Sequence, residues 1–565
     1  MPPTNPLLSQ FYIKLAGMQP EDLMPDLRRI EVDSNLYLPD MCVIEINDPG
    51  FHWAEDQRLR LGQDVQIEAR TSENERGSPA RVFSGQITSI EADMRENGVA
   101  ALVLRCYDRS HLMQRGTKVR AFFQSTDSDI ARTIAGDHGL QAVVDTTAQV
   151  HEQIFQDNVS DYDFLMDRAR AVGYLLTVDD RTLHFRKPAS IVLPLVEVDY
   201  GTSLLEFHPR LTVASQVKEV TVRGWDPKTK RALVGQAATA EFQSVKAGAG
   251  RRASSLVQQA FGVNGGQVLV SDQPVASQAE GDALAKSLLS DLWAKDLRAD
   301  GTAHGNPAIQ PGCKLKVGGI GSVFAGEYFV TSSRHVFDTE GHFLTHFNVS
   351  GLSAETTADL ILQSPANRQP APGRIFGIVV GIVSNNKDPE NLGRVKVRFP
   401  WLADEAESWW ARIAAPMAGA NRGFFFLPEI DDEVCVAFEH GDLNRPYILG
   451  FLWNGLDAPP LQTSAAVGAD GKVNKRVIKS RSGHTITLDD SNGDEKIEIV
   501  DKTSRNKIVI DSVGGKLTIE MSGDITVTGT NISLEGKAKV ELKAPQIDIT
   551  ATGKVKISGP LVELN

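Results

Sequence analysis

Any chemistry this chain performs should show in a few short stretches. "GGIGSVFAG" (318–326) has the glycine density of a loop that cradles phosphate. Such a loop aims backbone N–H groups and a helix N-terminus at the anion, and a Lys-Ser or Lys-Thr pair completes it. No helical pattern and no such pair follow here, so a hairpin turn is expected. Adjacent carboxylates stand in "EIDDE" (429–433) and at Asp489/Asp490, where they could bind a cation or share a proton. Neighbours on a strand point to opposite faces, which favours solvated turns. Of the 12 histidines, only His484 lies between 476 and 565. Copies of it meeting on an axis could hold a metal ion, but a surface imidazole is the simpler reading. Trp409 and Trp410 could touch a membrane; strand alternation would instead bury one and leave the other at a subunit contact. The four cysteines show no CxxC spacing, and no GxSxG, HExxH or Cys/His nucleophile set is present. No enzyme activity, catalytic residue, metal site or cofactor is therefore expected.

What these residues sit on matters more. A chain of 565 residues calls for three or four domains. A formal charge of −13 disfavours a nucleic-acid partner, because nothing would neutralise phosphates. There is no leader-like start and no long apolar run, so the chain is expected to be made in the cytoplasm without a signal peptide. Residues 1–370 read as mainly β with helical inserts. Alternation marks strands at 41–48, 64–70 and 101–108, and helices are expected from about Ser125, Val159 and Ser277. "VFSGQITSI" (82–90) resembles "VFAGEYFVTSS" (323–333), as a duplicated β domain would. Residues 353–373 read as a linker, 371–456 as a small closed barrel of OB or Greek-key type, and 457–475 as a second linker.

From 476 to 565 there is no Phe, Trp, Tyr or Cys. Apolar pairs recur at Leu517/Ile519, Ile525/Val527, Ile532/Leu534, Val540/Leu542, Ile547/Ile549, Val555/Ile557 and Val562/Leu564, in alternating steps of 8 and 7 residues. One chain turning this often encloses almost no core. Three chains wound as an intertwined trimeric β-helix, or prism, bury about six aliphatic side chains per layer, at roughly 1.5–3 kcal/mol each. A one-chain solenoid and a flexible β-prone tail are the alternatives.

"RVKVRFPW" with "RIAAPMAGANRGFFFLPEIDDEVCVAFEHGDLNRPYILGFLWNG" resembles the OB domain of the VgrG and phage-tail spike family, and "KSRSGHTITLDDSNGDEKIEI" (479–499) resembles the neck of its rod. Residues 158–185 and 311–337 are similar to its hub, which is related to phage late-control D proteins. The resemblance implies a homotrimeric hub and spike of a contractile injection system. The hub (1–370) would carry two tube-like β-barrel domains per chain, matching a threefold spike to a hexameric inner tube and to baseplate proteins. The rod would puncture the target envelope, which it touches only transiently. A PAAR-type tip protein would seat on Leu561, Val562, Glu563, Leu564 and Asn565. The short 457–475 segment leaves no room for a spike-borne peptidoglycan hydrolase, and the chain's stop at Asn565 without a toxin extension favours an extracellular phage-tail-like particle over a type VI secretion spike. An adhesin fibre would instead need a receptor-binding head beyond the rod.

Overall fold

A computed structural model of the protein describes residues 10–70, 79–94, 100–191, 193–213, 216–240, 242, 245–247, 261, 266–338, 342–351 and 374–563. They divide into two compact units, Met1–Leu452 and Trp453–Asn565. The linker expected at 353–373 lies outside the described residues.

A ten-stranded sheet organises the first unit. Its N-terminal strands are β1 (Gln10–Leu15), β2 (Leu27–Asn35), β3 (Met41–Asn47), β4 (Asp64–Arg70), β5 (Ala80–Met94) and β6 (Ala100–Tyr107). Further along the chain come β7 (Leu204–Leu211), β8 (Leu297–His304), β9 (Lys314–Gly318), β10 (Gly326–Phe329), β11 (Ser332–Asp338) and β12 (Phe343–Val349). The sheet runs β1-β4-β5-β6-β3-β2-β11-β12-β8-β7. Its order repeats: β5-β6-β3-β2 and β11-β12-β8-β7 are each two strands followed, later in the chain, by a hairpin. The element before each hairpin also matches, since β9 pairs with β10 as β4 pairs with the first half of β5. "VFSG" lies within β5, whereas the "VFA" of "VFAG" lies in the turn before β10, so the two stretches share a neighbourhood in the repeat but not a register. Glycine is required in the first, where a Cβ on Gly85 would stand 2.2 Å from the Tyr107 carbonyl oxygen.

Period-2 burial along β2, β3 and β4 puts Ile30, Val32, Ile44, Ile46, Val65 and Ile67 into one core. A second core, around Leu315, Val317, Tyr328 and Phe347, serves the later strands. The three expected helices form, each started by a side-chain cap: α1 (Asp127–Asp137) by Thr126, α2 (Asp161–Val172) by Ser160 and α3 (Gln278–Ala294) by Ser277. "GGIGSVFAG" is the loop joining β9 to β10, a hairpin.

Residues 379–451 make a five-stranded sheet, which the bridges Val395↔Ala411 and Arg398↔Glu407 close into a small barrel. Its core of Val383, Val397, Phe399, Val434, Val436 and Ile448 also takes in Phe155, from the antiparallel strand pair Lys118–Thr126/Val150–Val159. The barrel and the β-rich region before it therefore share one packed interior.

In the second unit, β13 (Lys475–Lys479), β14 (Thr485–Asp489), β15 (Lys496–Val500), β16 (Lys507–Asp511) and β17 (Lys516–Glu520) form an antiparallel meander in chain order. From Met521 to Glu563 there is no strand. The backbone instead bends at 522–523, 530, 537–538, 545, 552–553 and 560, once every seven or eight residues. Among the described residues, no helix is long and apolar enough to cross a membrane.

Candidate assembly surface and spike

Register turns the meander into a two-faced object. Across its five strands Ile478, Ile486, Ile499, Ile508 and Ile519 fall in one row, and Arg476, Leu488, Ile497, Ile510 and Leu517 in the next. Both rows lie on the same face, because alternate residues share a side. All of these aliphatics except Ile508 are more than 40% exposed. An open cavity of about 390 Å³ lies against this face, lined by Ile478, Ile486, Ile499, Ile508, His484 and Met521 among others. The other face carries an alternating ladder, Lys475, Asp489, Lys496, Asp511 and Lys516. Lys475 pairs with Asp489 at 3.3 Å. Burial raises the Asp489 pKa, but the hydrogen bonds from Ser491 and the charge of Lys475 outweigh it and hold the carboxyl below its ordinary value. A half-buried, charge-paired face and a bare aliphatic face on one sheet mark the second as the one suited to be covered.

The rod residues continue this pattern. Leu517, Ile519, Ile525, Val527, Ile532, Leu534, Val540, Leu542, Ile547, Ile549, Val555, Ile557 and Val562 are 47–74% exposed, an aliphatic series with no cover from its own chain. Leu564 and Asn565 lie outside the described residues; Leu561, Val562 and Glu563 are exposed and belong to no strand. The neck rows Ile478 to Ile510 were not among the core residues read from the repeat. Their i, i+2 spacing carried the signal, but their strands recur every ten or eleven residues and so fall outside the 8/7 stepping.

The acid, histidine and tryptophan candidates resolve into structural roles. Asp490 pairs with Arg476 at 2.6 Å while Asp489 pairs with Lys475, so the two carboxylates do not share a site. In 429–433, the Asp432 carboxylate accepts the Glu429 N–H and Asp431 takes a positive φ, a turn. His484 Nδ1 accepts the Lys502 N–H at 3.3 Å, at the polar border of the neck face. Among the described residues, no group of three or more His, Cys, Asp or Glu is placed to hold a metal ion. Trp409 and Trp410 depart from the expected one-in, one-out arrangement. The chain bends at 409, so alternation fails, and both rings are half-buried. They lie 5.1 and 5.8 Å from Lys396 Nζ, which also pairs with Glu407 at 2.9 Å.

Long-range polar bonds that no local pattern signals fasten the barrel to the strand pair Lys118–Thr126/Val150–Val159. Gln153 Nε2 donates to the Glu407 carbonyl (2.7 Å), and the Phe155 N–H donates to Asn444 Oδ1 (2.8 Å). Within the barrel, buried Asp388 pairs with Arg394 at 2.7 Å and accepts the N–H groups of Glu390 and Leu392. Hydrogen bonds from the Arg394 side chain hold its carboxyl far below the usual range. At the junction of the two sheet halves, His335 is fully buried with Nδ1 3.0 Å from Thr345 Oγ1, and burial pushes its pKa down to about 4.

Comparison with known proteins gives this architecture its relatives. Residues 29–338, more than half of the chain, match the family model of the Alg8 N-terminal domain, and residues 379–453 match the type VI secretion system/phage-baseplate injector OB domain. The spike protein VgrG1a of the Pseudomonas aeruginosa type VI secretion system is 31% identical over 179 residues, 28% of this chain and 27% of that protein. The actin cross-linking toxin VgrG1 of Vibrio cholerae is 27% identical over 207 residues, 34% of this chain. The match spans only 18% of that protein's own length. Among solved structures, the lidded Francisella PdpA-VgrG complex superposes with a TM-score of 0.54 at 12% identity, covering 92% of this chain and 80% of that one. The Escherichia coli c3393 protein is described as a type VI secretion component similar to T4 tail proteins gp27 and gp5. It superposes at 0.50 and 15% identity, covering 78% of this chain and 99% of that one. The chain belongs to the Alg8 N-terminal domain family and, through its injector OB domain and its curated relatives, to the VgrG spike family.

Proposed function

We propose that the chain is the hub and central spike of a contractile injection system, acting as a homotrimer and by mechanics rather than catalysis. The observation that carries this is the aliphatic face of the neck, continued by the rod series, which the described residues of its own chain leave largely exposed. Three copies around an axis would bury both neck rows and the rod pairs, consume the unpaired strand edges and stiffen the rod. The boundaries 1–370 for the hub, 371–456 for the OB barrel, 457–475 for the linker and 476–565 for the rod belong to this reading. The repeated strand order supports two similar units per chain, six per trimer, suited to capping a hexameric tube and nucleating the baseplate.

The residues from Leu561 to Asn565 are proposed to seat a PAAR-type tip protein by strand addition; the exposed, strandless Leu561 and Val562 support this. Release in an extracellular phage-tail-like particle is the preferred setting. Made in the cytoplasm, the protein would leave the cell within the released particle or be injected by it.

Light scattering of the purified chain after size exclusion tests the assembly. A mass three times the chain with an elongated hydrodynamic shape is expected, and a compact monomer would overturn the reading. Recovery of the protein in sheathed particles from cell-free medium supports the extracellular setting, whereas delivery only on cell contact would replace it with a type VI apparatus.

A further inference from the structure

We infer that the neck sheets of neighbouring copies meet through margins of unlike charge, which help hold the copies together at the corners between them. This deepens the trimeric reading and rests on it. The meander places its turns alternately on two margins: 480–484 and 501–506 on one, 490–495 and 512–515 on the other.

On the first margin Lys479, Lys502 and Arg505 have no carboxylate partner among the described residues. Asp501, between them in sequence, is spent on its own turn, accepting from the Thr503 N–H and hydroxyl and from Asn506 Nδ2. On the second margin Asp490 and Asp494 are held by Arg476 and Lys496. Glu495 and Asp511 have no ion-pair partner among the described residues, their carboxylates accepting the backbone N–H groups of Gly493 and Gly514. Lys516 lies opposite Asp511 in register and offsets part of that charge, so the second margin is the weaker pole.

Polar rows run along the same margins. Ser480, His484, Asp501 and Asn506 border the apolar face on one side, and Asn474, Asp490, Glu495 and Ser512 border it on the other. A face with an aliphatic centre and polar borders directs its centre to a common axis and its borders to the corners between copies. Around a closed ring every corner then sets the first margin of one copy against the second margin of the next, a head-to-tail contact. Unlike charges favour that pairing and penalise a first margin meeting a first margin, so the occupant of each margin is a second copy of this chain. His484 belongs to a corner in this arrangement, not to the axis.

The test reverses the first margin in the full chain, Lys502→Glu with Arg505→Glu, and follows urea dissociation by light scattering at low salt. The trimer should require about tenfold more protein to hold together, a gap that narrows at high salt. Adding Asp494→Lys and Glu495→Lys should restore most of the loss. A reversed pair that dissociates like wild type, or a fourfold variant no better than the double, overturns the inference. If the double variant does not fold, Lys502→Gln with Arg505→Gln must still show a smaller, salt-dependent loss. A wild-type chain that is monomeric fails the trimeric reading instead.

Discussion

The neck and the rod are neighbouring stretches of one unit, yet the chain pairs with itself in the first and not in the second. In the neck, five-residue strands are separated by turns of four to six residues, long enough to reverse the chain and join each strand to the last. In the rod short aliphatic pairs recur every seven or eight residues, with a bend between them and no strand pairing among the described residues. Its backbone groups therefore form no ladder among the described residues, although its side chains are patterned as regularly as those of the neck. Turn length decides whether a β pattern is satisfied locally or calls for other chains.

The largest effect should come from the neck. Ile499→Asp places a carboxylate in the centre of the aliphatic face, at a cost of about 3 kcal/mol or more per copy. The full chain should then fail to trimerise, while Val509→Asp, on the charged face, should not; equal masses for the two variants would remove the distinction between the faces. Ile547→Asp in the rod comes next. The neck should still hold the trimer, and thermal melting should show the rod lost first, whereas unchanged melting would contradict its inward placement. A smaller loss is expected from Asp388→Asn, which leaves buried Arg394 only the longer pair with Glu390, at 3.2 Å. Urea unfolding should show the barrel weakened by about 2 kcal/mol, with trimer mass unaffected.

A further effect is on pH. His335 stays neutral in the folded protein down to about pH 4, whereas the unfolded chain takes up a proton near 6.5. The unfolded state binds more protons in between, so stability should fall as pH drops from 6.5 towards 4. His335→Gln should flatten that part of the melting profile.

Much of this was legible in the sequence because its signals are local. Thr126, Ser160 and Ser277 start their helices through their own side chains, and Met41–Asn47 and Asp64–Arg70 alternate within seven residues. The likeness between "VFSGQITSI" and "VFAGEYFVTSS" pointed to a repeat, and a repeat is present in the strand order, although the two stretches sit at different points of it. The placement of Phe155 in the barrel core was not legible. Its neighbours there lie more than two hundred residues away, and nothing at 150–159 marks that strand as shared. Trp409 and Trp410 failed for a different reason: alternation holds only on a strand, and the backbone bends where they sit.

By itself, the sequence determined the spacing of the rod, its lack of aromatics and the two-residue periodicity of its aliphatics, because these depend only on which residue types recur and how far apart. Tertiary structure alone decided which neck residues share a row, which charges find a partner and which remain on a margin. Those depend on register between strands, and a slip of one residue would send every aliphatic of a strand to the other face.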